Sequence, residues 1–306
     1  DLTWQWTDQD WEGKDLRGSV IYELHVGTFA AADDRPGTFD SAIGRLDHLR
    51  RLGVNAVEVM PPFGFAGPRS WGYNPSHLFA IEPSYGGPHA FARFVRAAHE
   101  RGIAVILDVV HNHLGPTDLD LWRFDGSYRR GYGGQYFYND RRALTPWGAT
   151  RPNYDRREVR NFLVANALYW LNEFHMDGIR VDAVASMLYL DYSRDEGQWQ
   201  PNVYGGRENL EAISFLQEAN ATAYRGAPGI MMIAEESTSW PGVTGLTENG
   251  GLGFGLKWNM GWMNDTLRYL EEAPINRKWH HGEITFSMVY AFSEQFLLPL
   301  SHDEVV

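Results

Sequence analysis

Ile103-Ala-Val-Ile-Leu-Asp-Val-Val110 is an unbroken aliphatic run holding one carboxylate, and His111-Asn112-His113 follows it at once. A strand with one wet face alternates apolar and polar residues, whereas a continuous apolar run marks a strand covered on both faces, as in a parallel sheet. Just upstream, Pro88 to Arg101 places Phe91, Phe94, Val95 and Ala98 at helical spacing, with Pro near the first turn and Gly102 past the end. The unit is a helix feeding a buried strand that ends in chemically active side chains.

The same unit recurs along the chain. Val20 to Val26 reads as a first strand, Thr38 to Arg51 as a helix closed by Gly53, and Val54 to Met60 as a second strand. Pro61 to Gly87 reads as a long loop, and Leu114 to Tyr154 as a longer one, dense in Gly, Arg and aromatics, of the kind that carries function or forms a small subdomain. Asp155 and Glu158 read as an N-cap and its box partner, opening a helix through Phe162, Leu163, Trp170 and Leu171. Strand four is Gly178-Ile-Arg-Val-Asp182, strand five Ile230 to Glu235, strand six Leu252 to Trp258 and strand seven Phe296 to Ser301. Helices are expected at Arg207 to Arg225, Met260 to Leu270 and His281 to Phe292.

Alternation with connections this long requires parallel strands and right-handed crossovers, hence an α/β fold. A doubly wound sheet and a (β/α) barrel both fit. Charged residues close strands three, four, five and seven, and a barrel collects its site from several strand ends at one face. A doubly wound sheet usually carries a Gly-rich phosphate loop after its first strand, and none follows strand one here. The expectation is a (β/α)8 TIM-type barrel truncated after the seventh strand, since a barrel closes with eight and seven are countable before Val306. Residues 1–18 read as a lead-in segment and 19–306 as the barrel, with a loop or subdomain insertion at 114–154. Unpaired edges on the first and seventh strands would favour aggregation, so the missing strand is expected in a longer parent chain.

Composition narrows the partners. A formal net charge of -12 over 306 residues argues against nucleic acid, whose binders need basic surface. No apolar run approaches the roughly 20 residues that span a bilayer, so no membrane association is expected. With no cysteine, disulfides and thiolate-bound metals are excluded, which is compatible with a cytoplasmic location. Aromatics reach 14%, several in loops such as Trp71-Gly-Tyr73 and Tyr136-Phe-Tyr138, and exposed rings suit the flat C–H faces of sugars.

Arg180 and Asp182 sit two apart in a strand, so their side chains share a face. By itself that pair is equally a structural salt bridge. Beside the other strand ends it gains a second meaning, because Asp182, Glu235 and Asp303 would converge in a barrel mouth with Asp108, Arg180, His113 and His302 around them. Two converging carboxyls, one ionised and one protonated, are what glycosidic bond cleavage requires. Arg180 is expected to keep Asp182 charged. A metal site is the competing use, but no H-E-x-x-H or comparable ligand spacing occurs, so no metal or other cofactor is expected.

Asp108-Val-Val-His-Asn-His113, Gly178-Ile-Arg-Val-Asp182, Ala234-Glu235 and His302-Asp303, in that order, resemble the four signature regions of the α-amylase superfamily, glycoside hydrolase family 13. Across 155–306 the chain resembles the glycogen branching enzymes, in Asp182 to Met187, Asp191-Tyr-Ser-Arg194, Gly205 to Ala212, Ala234 to Thr238, Lys257 to Trp262 and Ser301 to Val306. Tyr22 to Thr28, Tyr85-Gly-Gly-Pro88 and His111 to His113 are as similar to maltooligosyltrehalose trehalohydrolase, a water-using relative. The resemblance implies Asp182 as nucleophile, Glu235 as general acid/base and Asp303 as stabiliser of the distorted sugar. It implies Tyr73, Asp108, His113, Arg180 and His302 as the lining of the sugar subsite, with Tyr73 stacking on the sugar. The implied reaction cuts an α-1,4-glucan and passes the chain to a 6-hydroxyl in glycogen synthesis. Hydrolysis of α-glucans and an inactive carbohydrate-binding barrel remain the alternatives.

Overall fold

The computed structural model describes residues 4–32, 35–117, 119–129 and 131–304. Seven strands form one sheet in chain order: β1 Ile21–Leu24, β2 Ala56–Val59, β3 Ala104–Val109, β4 Gly178–Val181, β5 Met231–Ala234, β6 Leu256–Trp258 and β7 Phe296–Leu297. Every neighbouring pair is parallel. The sheet curls into a barrel wall, so the expected (β/α) barrel with seven strands stands. Helices α1 Gly87–His99, α2 Arg157–Glu173, α3 Leu210–Gly226 and α4 Met260–Glu271 run along the chain between the strands.

The pleat sorts the strands into two layers. Val57, Val59, Val105, Leu107, Val109, Ile179, Val181 and Met232 pack in the large core that also takes the helices. Ala56, Ala104, Ile106, Ile233 and Trp258 form a second, smaller cluster with Leu16, which fills the barrel interior. Register then decides what shares that inner face: Glu23 lies opposite Glu58, Glu58 opposite Ile106, and Asp108 opposite Arg180. Inner-face positions are therefore apolar low in the barrel and charged toward its mouth.

Several expected elements differ in detail. The first strand stops at Leu24 because Val26–Phe29 turns into a short helix. The helix expected over Thr38 to Arg51 is two pieces, Phe39–Ile43 and Leu46–Arg51, broken at Gly44. The loop at 61–87 contains an antiparallel pair, Phe63–Phe65 with Pro75–Ile81. Asp155 does not cap α2, whose N-cap position is Arg156 without a side-chain bond, whereas Asn209 Oδ1 does cap α3 by accepting from the Ala212 amide at 3.3 Å. Strands six and seven are shorter than expected, and the helix expected over His281 to Phe292 ends at Phe286.

Residues 1–18 read as a lead-in segment, of which 1–3 lie outside the described residues. The rest packs under the barrel. Leu16 enters the interior cluster, the Trp11 indole N–H donates to Asp177 Oδ1 at 2.7 Å, and His99 bridges Asp8 and Asp177 at 2.9 Å to each. Between the ends of the sheet, β1 and β7 border a cavity of about 620 Å³ lined by Leu16, Ile21, Glu58, Trp258 and Leu297 among others. His302 reaches across the upper end of that gap to Glu23.

Candidate active site

The site is built on the C-terminal ends of β3, β4 and β5. Asp108 is the penultimate residue of β3 and is completely buried. Its Oδ2 accepts from Arg180 Nη1 at 2.7 Å and from the Tyr73 hydroxyl at 2.8 Å. The same Arg180 nitrogen donates to Asp182 Oδ1 at 2.9 Å, so the guanidinium joins the two carboxylates. Trp258 supplies the floor, with the guanidinium carbon 4.4 Å from its ring centroid. The i, i+2 rule thus placed Arg180 and Asp182 correctly side by side.

Immediately after Asp182 the backbone takes a left-handed turn at Ala183 (φ 52°, ψ 41°), which is costly for a residue bearing a Cβ. That turn aims the Ala183 amide at Glu235 Oε2, 2.7 Å away. Strand end β4 therefore holds the carboxyl group of strand end β5 directly, and Val184 N–H adds a bond of 2.9 Å to the Glu235 carbonyl. Strain at this point fixes the relative placement of Asp182 and Glu235.

Electrostatics follow from burial. Asp108 is pushed up to about 7, first by desolvation and further by the Asp182 charge, against the pull of Arg180. Asp182 is also raised: burial outweighs Arg180, which reverses the expected net effect of that arginine although its contribution has the expected sign. Glu235 is raised by burial, with Arg180 opposing and Asp182 adding to the rise. A site crowded with carboxyls around one arginine thus favours keeping a proton on at least one of them.

His113 sits on the loop after β3. Its Nε2 donates to the Tyr73 carbonyl at 2.8 Å, its ring stacks on Trp147 at 4.8 Å, and burial lowers it to about 4, so it is neutral near pH 7. His111 faces elsewhere, with Nε2 bonded to Asn166 Oδ1 at 3.0 Å and burial lowering it to about 4. The two histidines have separate partners and separate directions. Tyr73 follows Gly72, at φ 99°, where a Cβ would come within 1.9 Å of the Pro61 carbonyl oxygen; only glycine permits that approach. Tyr73 stacks not on open space alone but on His302, 5.4 Å away and 4° from parallel.

His302 and Asp303 lie in a turn beyond β7. His302 Nε2 is 3.1 Å from Asp303 Oδ1, and Asp303 is 77% exposed, unlike the other carboxylates of the site. Its charge still reaches Asp182 and Glu235, raising both. All eight residues singled out in the sequence (Tyr73, Asp108, His113, Arg180, Asp182, Glu235, His302 and Asp303) are thereby joined by direct contacts or by charge. Val305 and Val306, part of the last signature stretch, lie outside the described residues.

The structure adds members that sequence reasoning missed. Glu58 is wholly buried on the inner face and pushed up to about 8 by desolvation, with Oε1 unpaired. Glu236, fully buried beside Glu235, has Oε2 2.7 Å from Lys257 Nζ as an ion pair without hydrogen-bond alignment. Glu23 receives two bonds from His302. A carboxylate inside an apolar strand was a visible signal for Glu23 and Glu58, but their partners lie on other strands. Among the described residues no group of three or more His, Asp or Glu is placed to hold a metal ion, and no helix is long and apolar enough to cross a membrane.

A curled parallel sheet with acid groups at adjacent strand ends is the architecture of α-amylase-type catalytic barrels, and the comparisons agree. The family model described as alpha amylase, catalytic domain, matches residues 10–142. A crystal structure of a Salmonella typhimurium protein assigned to the α-amylases superposes with a TM-score of 0.68 at 28% identity, covering 94% of this chain and 44% of that one. The chain belongs to the α-amylase family. Within it, the 1,4-alpha-glucan branching enzyme of Thermobifida fusca is 54% identical over 315 residues, which is 98% of this chain and 40% of that protein. The corresponding enzyme of Corynebacterium efficiens is 52% identical over 317 residues, 99% of this chain and 41% of that protein. The chain thus spans about 40% of the length of the curated relatives it matches.

Proposed function

We propose that this chain is the catalytic barrel of an α-1,4-glucan branching enzyme, a retaining transglycosylase of glycogen synthesis. The observation that carries the reading is the junction of β4 and β5, where the strained Ala183 amide ties Glu235 to the strand end bearing Asp182. Asp182 attacks the anomeric carbon and forms a covalent glycosyl-enzyme while Glu235 protonates the leaving oxygen. Glu235 then takes the proton from an incoming 6-hydroxyl, which displaces Asp182 and leaves an α-1,6 branch. Burial that raises Glu235 suits an acid that must carry a proton near neutrality. Asp108 and Arg180 hold the sugar hydroxyls and the nucleophile, Tyr73 and His113 shape the subsite wall, and His302 with Asp303 contacts the distorted sugar.

Residues 19–306 constitute the barrel, 114–154 an insertion beside its mouth, and the enzyme works in the cytoplasm on glycogen, amylose or maltooligosaccharides. Amylose incubated with the full-length protein should lose its iodine colour without a matching rise in reducing ends. Reducing ends that rise in step with colour loss would establish hydrolysis instead. That second reading, an α-glucan hydrolase with water as acceptor, is favoured by the structural likeness to a protein assigned to the α-amylases.

A further inference from the structure

His302 stands in a stretch with little backbone support. The β6–β7 ladder ends at Leu297, and in the turn that follows the Glu304 amide bonds the Ser301 carbonyl at 3.1 Å. What holds the histidine comes from the far end of the chain. Glu23 Oε2 accepts the His302 backbone N–H at 2.9 Å, and Oε1 accepts from ring Nδ1 at 2.8 Å. One carboxylate thus fixes both the backbone and the χ angles of a residue 279 positions away. With Nδ1 bound, the ring lies parallel to Tyr73, and Nε2 comes within 3.1 Å of Asp303 Oδ1, an ion-pair distance without hydrogen-bond alignment.

We propose that Glu23 is a positioning residue of the active site, anchoring His302 by its amide and Nδ1 so that Nε2 orients Asp303 at the mouth of the cleft. The proposal rests on the glucan-cleaving reading of this site and goes beyond it, because Glu23 lies on the first strand and touches none of the expected reacting groups directly. A carboxylate behind a histidine sets the ring's tautomer and orientation, as outer partners of ligating or catalytic histidines do elsewhere. When His302 is protonated, Nδ1 donates to Glu23 and the ring's charge lies beside Asp303 on the Nε2 side.

The groups facing His302 all bear on its titration. Burial lowers it, while the bond and charge of Glu23 and then the charge of Asp303 raise it above the ordinary histidine value, with Arg180 opposing. Tyr73 stacks on it, and its charge is felt by Asp182 on the β4 side and by His25. Glu23 itself would be raised by burial but is brought below the ordinary range by His302 and then Arg180, so it is the ionised member of its pair with Glu58. The sign follows: removing the Glu23 charge must lower the pH at which His302 loses its proton.

The test is Glu23→Gln in the full-length protein, which keeps side-chain length and an acceptor for the backbone amide but removes the charge. Expected are a fall in kcat/KM on amylose of about 10- to 100-fold, the range for losing a charged hydrogen bond, and a shift of the alkaline limb of the pH profile to lower pH. Imidazole NMR should show His302 titrating at lower pH in the variant. In a His302→Ala background the same substitution should add little. An unmoved His302 titration, or an equal loss of activity in the His302→Ala background, overturns the proposal. If Glu23→Gln does not fold, the unmutated protein decides: neutral His302 should keep its proton on Nδ1, and the Nε2-protonated tautomer refutes the anchor. Absence of any amylose cleavage by the unmutated protein would overturn the functional reading, while the NMR titration would still judge the Glu23 anchor.

Discussion

Lys257→Met offers the cleanest test of how the base of this site is held. Lys257 is 5% exposed and Glu236 fully buried, with 2.7 Å between Nζ and Oε2 and a further 2.7 Å bond from Nζ to the Thr238 carbonyl. Methionine matches the lysine stem in length and bulk, so packing changes little and the charge is the main loss. Removing one partner of a buried ion pair leaves the other uncompensated and costs roughly 3–5 kcal/mol. Unfolding entropy of about 2.1 cal/mol/K per residue gives roughly 0.64 kcal/mol/K for a cooperative chain of this size, so the midpoint should fall by about 5–8 °C. Adding Glu236→Gln should recover much of the loss, because the stranded charge disappears. Urea denaturation of the wild type, both single variants and the double variant closes the cycle. If Lys257→Met costs less than about 1 kcal/mol, or the double variant is no better than the single, the pair is solvated in solution and the reasoning fails.

Other expectations follow from particular residues. Asp182→Asn should reduce turnover on amylose by at least about 10³-fold while glucan binding is retained, and unchanged turnover would remove Asp182 from the nucleophile's role. Gly72→Ala should destabilise by more than about 2 kcal/mol and displace Tyr73, because of the positive φ and the Pro61 carbonyl; equilibrium unfolding reads the first and loss of activity the second. Glu58 has its folded value raised to about 8, so its contribution to stability is full below pH 4.5 and is lost as pH climbs toward 8. Glu58→Gln should therefore gain a few kcal/mol relative to the wild type between those limits, and parallel stability curves would refute the burial argument. His111 and His113, both lowered to about 4, must charge on unfolding, so each lowers stability as pH falls from 6.5 toward 4; NMR should find both neutral at pH 5.5.

Much of the fold was legible because it is local. Ala104–Val109 is apolar at every position except Asp108, which only a strand covered on both faces explains, and the segment Gly87–His99 wears one apolar face. Local reading failed where a neighbour overrode a pattern. The Asp155 capping box gave way to a start one residue later, and the periodic stretch from Thr38 to Arg51 broke after Ile43, with Gly44 closing the first short helix and Arg45 preceding the second.

At the site, the division is equally physical. The i, i+2 spacing of Arg180 and Asp182 is a property of any strand, and the comparisons bear out the family that the signature stretches resemble. Which carboxylate meets which partner is not local. Arg180 turns to Asp108 because β3 and β4 are in register at those positions, Glu23 meets His302 because the sheet curls its two ends together, and Asp182 ends up raised rather than lowered because burial exceeds the pull of its arginine. Sequence by itself pointed to the seven strands, the main helices and eight of the candidate groups, since these readings rest on residues within a few positions of one another, but it missed Glu23, Glu58 and Glu236. Only the tertiary structure decided their pairing and protonation, since both depend on the curl of the sheet and on how much water each carboxyl has lost.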